Sequence, residues 1–186
     1  MHFLIALASI CAFSQTDLPE QPLKPTTIRT TDGKALQVPN AKRITVLMFL
    51  MPDCPIANRY APELKRLAAE FKKDVDFVAV YPDSDLTPES AAKHAKDFGL
   101  PFPTTLDGKL TLVKATGATV SPEAAVIAKN GKVMYRGRID DLYTSHGTRK
   151  ATVSRRDLAV ALQEVIAGKQ VSKPAIAATG CFLPQK

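Results

Sequence analysis

The cysteines and histidines, the side chains best suited to nucleophilic, redox or soft-metal chemistry, are few in these 186 residues: Cys11, Cys54, Cys181, His2, His94 and His146. Cys54 has the most informative surroundings. The apolar run 44–51, I-T-V-L-M-F-L-M, is closed by Pro52, and Ile56, Tyr60, Leu64, Leu67 and Phe71 then recur at helical spacing. The pattern predicts a buried strand followed by a helix reaching about residue 73, with Asp53 as its cap and Pro55 in its first turn. A thiol at that junction faces unpaired amide N–H groups and the positive end of a helix dipole. Both favour thiolate, the form that attacks disulfides, peroxides and metals.

The elements that must hold this thiol can be read on both sides of it. Asp32-Gly33 between 27–31 and 34–38 is a hairpin signal. The run 75–81 is a second buried strand, and a long helix between two such strands makes a right-handed βαβ unit with parallel strands the economical arrangement. Thr87-Pro88-Glu89 starts a helix that Gly99 ends; it carries His94, which a run of neighbouring lysines marks as a surface residue. Thr104 to Leu106 reads as a short strand. Asp107 can cap a helix running to Lys114 and ended by Gly117, although Leu110, Leu112 and Val113 also fit a strand. Asn130-Gly131 joins 124–128 to 133–139 as an antiparallel hairpin. Ser154-Arg155-Arg156-Asp157 has the form of a capping box before the stripe Leu158, Ala161, Leu162, Val165, Ile166. The segment 140–152 has no clear period, and His146 within it is a candidate base or metal ligand beside Cys54, with an ordinary loop histidine as the alternative.

Length and 45% hydrophobic content fit one domain with extensions. Residues 3–13 are apolar but too short to span a membrane, and small residues at Ala12 and Ser14 fit cleavage before Gln15. The expected organisation is a signal peptide over 1–14, a proline-bearing mobile linker over 15–26, a domain over 27–168 and a tail over 169–186 carrying Cys181. The rival for 1–14 is an uncleaved anchor or internal strand. Export to the periplasm or the extracellular space would leave Cys54 and Cys181 as the mature cysteines, with no stable membrane span. The net charge of +7 is concentrated between Lys129 and Arg156. That segment can attract an acidic protein partner or membrane headgroups, or form a solvated basic face. Too few aromatic residues accompany it for a nucleic-acid platform.

Cys54 to Pro62, C-P-I-A-N-R-Y-A-P, resembles the active-site region of the thioredoxin superfamily, where a strand ends in a cysteine and a proline kinks the following helix eight residues on. It departs from thioredoxins at Ala57, where their second cysteine stands, at Asp53, usually aromatic, and at Met48, usually a buried carboxylate. It is similar also to redoxins of the alkyl hydroperoxide reductase and thiol-specific antioxidant type, whose P-x-x-x-T-x-x-C motif has Leu47 and Met51 at the proline and threonine positions here. The fullest resemblance is to exported redoxin-domain proteins with C-P-x-x-N-R-Y-A-P, a Y-R-G-R-I-D-D segment (135–141 here) and a late G-C (Gly180-Cys181).

The resemblance implies an α/β, thioredoxin-like three-layer fold: a central mixed sheet flanked by helices, opened by a β-hairpin and ending in an extended tail. It implies also that Pro122 is a cis-proline opposite Cys54, with Ser121 offering backbone groups to an extended substrate. The expected function is that of a thiol-disulfide oxidoreductase, with Cys54 as nucleophile, Cys181 as a resolving thiol, a protein disulfide or thiol as partner, and no cofactor. Antioxidant peroxide reduction is less favoured, because Met51 replaces the threonine. Two alternatives stay open: a redox-inert binding module stapled by a Cys54–Cys181 disulfide, and a copper-binding protein like the Sco-type chaperones that borrows Cys181 and His146 as ligands.

Overall fold

A computed structural model describes residues 18–184; the signal peptide expected at 1–14 lies outside them, as does the start of the linker. The domain opens with a hairpin of β1 (Thr26–Arg29) and β2 (Ala35–Val38) around Asp32-Gly33. The apolar run supplies β3 (Ile44–Phe49), every residue of which is buried. Then come α1 (Pro55–Arg59), α2 (Ala61–Glu70) and β4 (Val75–Tyr81), which pairs parallel with β3 and completes the expected βαβ unit. Next stand α3 (Pro88–Asp97), β5 (Thr104–Leu106) and α4 (Thr111–Thr116). Asp107 settles the ambiguity at α4, because its carboxylate accepts from the N–H groups of Thr111, Leu112 and Val113 at 2.8, 2.9 and 3.0 Å. Three otherwise unpaired donors are thereby satisfied.

The chain continues through β6 (Val120–Ser121), β7 (Glu123–Ile127) and β8 (Val133–Gly137), the last two forming the hairpin expected at Asn130-Gly131. A small hairpin of β9 (Tyr143–Ser145) and β10 (Thr148–Arg149) precedes α5 (Asp157–Ile166), and the tail adds β11 (Ala175–Ile176) and β12 (Cys181–Phe182). The main sheet has the order β11-β8-β7-β3-β4-β5, parallel over β3, β4 and β5 and antiparallel at β7. One core holds α1, α2 and α5 against one face; a second, around Leu47, Phe49, Val78 and Val80, fills the other. Alternate residues of β3 point to opposite faces, as strand geometry requires.

Four expectations need correction. The single long helix is two, because Pro62 in the first turn of α2 has no N–H to donate to the carbonyl four residues back. The linker is pinned near its end, where Leu23 is buried and its N–H donates to the Gly131 carbonyl at 2.8 Å. Ser154 does not cap α5: its N–H and hydroxyl go to the Asp141 carboxylate, and no side chain caps that helix. The basic segment is largely neutralised within the fold. Arg136 faces Glu123 at 3.7 Å, Arg138 and Arg155 share Asp157, Arg156 bridges Glu63 and Glu70, and Lys150 pairs with Asp141. Among the described residues no helix is long and apolar enough to cross a membrane.

Candidate active site

Pro55 decides how Cys54 is presented. The residue before a proline is driven out of the helical region, and Cys54 accordingly has φ −84° and ψ 106°. Cys54 is therefore itself the N-cap of α1, and Asp53 does not cap the helix as expected. The Cys54 N–H closes a turn on Met51 O at 3.0 Å, and its carbonyl accepts from Asn58 N at 3.0 Å. The side chain is fully buried, and its thiol donates to the Ser121 carbonyl at 2.9 Å. Ser121 in turn uses its hydroxyl oxygen to accept from Met51 N at 2.8 Å. The Ser121–Pro122 bond is cis, as the resemblance implied. One loop thus touches both the sulfur and the end of the strand that delivers it.

The tail completes the arrangement. β12 lies antiparallel to β6, with Cys181 directly opposite Ser121 and Phe182 opposite Val120. Both cysteines are free thiols and their side chains hydrogen-bond. The Cys181 thiol is pushed up to about 11, first by burial and then by its hydrogen bond with Cys54 and by negative charge there. Cysteines 127 positions apart in the chain meet at a single backbone carbonyl.

Glu123 holds the loop from behind. One carboxylate oxygen accepts from Thr119 N at 2.7 Å and Val120 N at 3.4 Å, and Arg136 lies beside the other. Burial raises the affinity of Glu123 for a proton, against the opposing pull of those N–H groups and of Arg136.

His94 is not the surface residue its lysine neighbours imply. It is half-buried between elements: its Nε2–H donates to Asn58 Oδ1 at 2.8 Å, and its Nδ1 accepts from the Tyr81 hydroxyl at 2.7 Å. Asn58 Nδ2 passes the connection to the Pro52 carbonyl at 2.7 Å, two residues before Cys54. Burial lowers the His94 pKa, with the charges of Asp97 and Asp53 opposing. The asparagine in C-P-x-x-N was the visible signal; its partner, 36 residues on, was not. His146 is near the site but turned to other work: its Nε2–H donates to the Gly180 carbonyl at 2.6 Å, and its ring stands 6.4 Å from that of Phe182.

The 135–141 segment acts as a tie between layers. The Tyr135 hydroxyl donates to Arg138 O at 2.5 Å, Asp140 accepts from the Tyr60 hydroxyl at 2.7 Å, and Asp141 gathers Lys150, Ser154 and Arg155. Tyr60 also belongs to the cysteine motif, so this tie reaches the helix that starts at Cys54. Among the described residues no group of three or more His, Cys, Asp or Glu side chains could hold a metal ion, so the copper-binding alternative lacks its donor set there.

This is a thioredoxin-like fold with a cysteine at the strand-to-helix junction opposite a cis-proline. The family model for Redoxin matches residues 18–151, more than half of the chain, and the protein belongs to that family. An uncharacterized conserved protein from Geobacillus kaustophilus is similar at 27% identity, with 89% of this chain and 91% of that one covered and a TM-score of 0.74. A hypothetical protein from Sinorhizobium meliloti 1021 shares the fold at 20% identity, with 92% and 98% covered and a TM-score of 0.75. A thiol-disulfide oxidoreductase from Bacteroides fragilis shares it at 20% identity, with 62% and 89% covered and a TM-score of 0.54. No curated protein matches the chain.

Proposed function

We propose that this protein is a thiol-disulfide oxidoreductase in which Cys54 attacks and Cys181 resolves. The observation that carries this is the meeting of the two free thiols at Ser121, beside the cis-proline. In the first step the Cys54 thiolate attacks one sulfur of a partner disulfide. A mixed disulfide forms, and the other partner sulfur leaves as thiolate and takes up a proton. In the second, Cys181 loses its proton and attacks the Cys54 sulfur, releasing the partner's remaining sulfur as a thiol. The partner has then gained two electrons, and the protein holds a Cys54–Cys181 disulfide that an external thiol reductant must reopen. Disulfides are favoured over peroxides as substrates because Met51 stands where a peroxidase has threonine. Export rests on the apolar leader, and a partner in that compartment would meet an oxidising environment.

Burial and then the neighbouring Cys54 favour the protonated form of Cys181. Two of the three influences that raise it, the hydrogen bond with Cys54 and the Cys54 charge, disappear once Cys54 is tied up in a mixed disulfide. Cys181 is thereby released to react at the moment it is needed. The test is turnover of a disulfide substrate by reduced protein. Cys54→Ser should abolish it, whereas Cys181→Ser should accumulate a mixed disulfide detectable by mass; full turnover by Cys54→Ser would overturn the proposal. The second reading, a permanent staple in a binding module, is favoured by the complete burial of Cys54. A disulfide that mild thiol reductants leave closed would support it.

A further inference from the structure

The antiparallel pairing of β12 with β6 puts the chain's own tail where an extended partner would lie across Cys54. Two contacts make the fit selective. At Gly180, an added Cβ would stand 2.0 Å from the Ser121 carbonyl oxygen and 2.6 Å from its carbon, backbone atoms that cannot swing away. Leu183 is 2% exposed in the second core, and its N–H donates to Thr119 O at 2.9 Å. Phe182 between them is 73% exposed and imposes little. His146 holds the Gly180 carbonyl from outside. The seat therefore reads glycine, then cysteine, then any residue, then an apolar one.

We infer that residues 180–183 are a resident strand in a polypeptide-binding groove along β6, that this strand closes access to Cys54, and that substrates are extended segments carrying glycine before their cysteine and an apolar residue two positions after it. This rests on reading Cys54 as the nucleophile and the Ser121–Pro122 loop as its platform. The fit explains why a nucleophile can be fully buried: the covering strand is held by short-range contacts of a terminal segment, the kind that opens locally without global unfolding. A substrate segment gains its hold by taking over the same backbone bonds.

The test reads Cys54 access, not turnover. In reduced full-length protein carrying Cys181→Ser, the rate of N-ethylmaleimide addition to Cys54 is followed by mass mapping. Adding Gly180→Ala should raise that rate by about tenfold or more, and Leu183→Ser should act in the same direction. Millimolar peptide of residues 178–184, with serine at the cysteine position, should then restore protection to the Gly180→Ala protein; the same peptide with alanine for glycine should not. Unchanged rates in both variants would overturn the resident strand, and equal protection by the two peptides would overturn the glycine rule. Protection that depends on protein concentration would assign the strand to a second copy and overturn the inference as stated. Full turnover by Cys54→Ser, which would overturn the proposed function, leaves all of these rates in the Cys181→Ser protein to be measured on their own.

Discussion

His94 reaches the Cys54 turn only through others, by way of Asn58 and the Pro52 carbonyl, so it is a positioning residue whose signature is in pH dependence. Burial favours its neutral form in the fold, while the unfolded chain takes up a proton near the ordinary value of 6.5. Stability from this residue is thus complete above that value and declines as pH falls through it, because the unfolded state then binds a proton that the folded state refuses. Between about pH 7 and about pH 5 the melting temperature should fall less in His94→Gln than in the parent protein; identical profiles would remove His94 from this role. Cys181 predicts a second profile. In the mixed disulfide burial still raises the Cys181 thiol after the influences of free Cys54 have gone, so the resolving step should quicken with pH across the neutral range, and rapid-quench measurement of mixed-disulfide decay would reveal it. The Tyr60 hydroxyl is a third case. Burial raises the pKa of Asp140, and the bond from Tyr60 counters it, so Tyr60→Phe should cost about 1–3 kcal/mol by denaturant unfolding, with a buried carboxylate losing its donor.

The loop that faces Cys54 is fixed by β7 as much as by its own residues. Glu123→Ala would deprive Thr119 N, Val120 N and Arg136 of one carboxylate in a buried setting. The expected cost is about 3–5 kcal/mol, together with faster maleimide addition at Cys54 as the loop loosens; a smaller loss with unaltered access would show the loop held by β12 alone. Elements of this kind divide by how local their causes are. The strands β3 and β4, the turn at Asn130-Gly131 and the cap at Asp107 were legible because periodicity and turn chemistry act within a few residues. The Ser121–Pro122 loop was legible through resemblance, with the β7–β8 hairpin behind it. What stayed hidden was pairing at a distance: Ser154 has the form of a cap but answers to Asp141, and Arg156 looks free until Glu63 and Glu70 reach it from α2. The split between α1 and α2 lay between these cases, since the kink at Pro62 was expected but a full break was not. The second cis bond, at Val38–Pro39, had no reading at all.

Across the whole molecule, the two cysteines bound a segment of more than a hundred residues that includes most of the sheet. Closing a loop of about 100 residues stabilises a native state by about 4.7 kcal/mol in the chain-entropy account. The reduced form offsets part of this, since its hydrogen bond between the Cys181 and Cys54 thiols would be worth about 0.5–1.5 kcal/mol. The tail is already docked with Cys181 opposite Ser121, so little rearrangement is required to form the bond. The oxidised form should therefore keep a net advantage of about 3–4 kcal/mol, which for a domain of this size corresponds to a melting temperature higher by roughly 6–16 °C. The same energy must appear in the redox equilibrium, where about 1.4 kcal/mol equals about 30 mV. Fold stability should hence draw the couple toward its disulfide, making the reduced protein an electron donor to partners rather than an oxidant of them. Calorimetry of both forms and equilibration against glutathione should agree in sign. A melting temperature unchanged by oxidation, or a couple that glutathione keeps reduced, would show that docking of the tail contributes nothing to the bond and would reverse the assigned direction of electron flow.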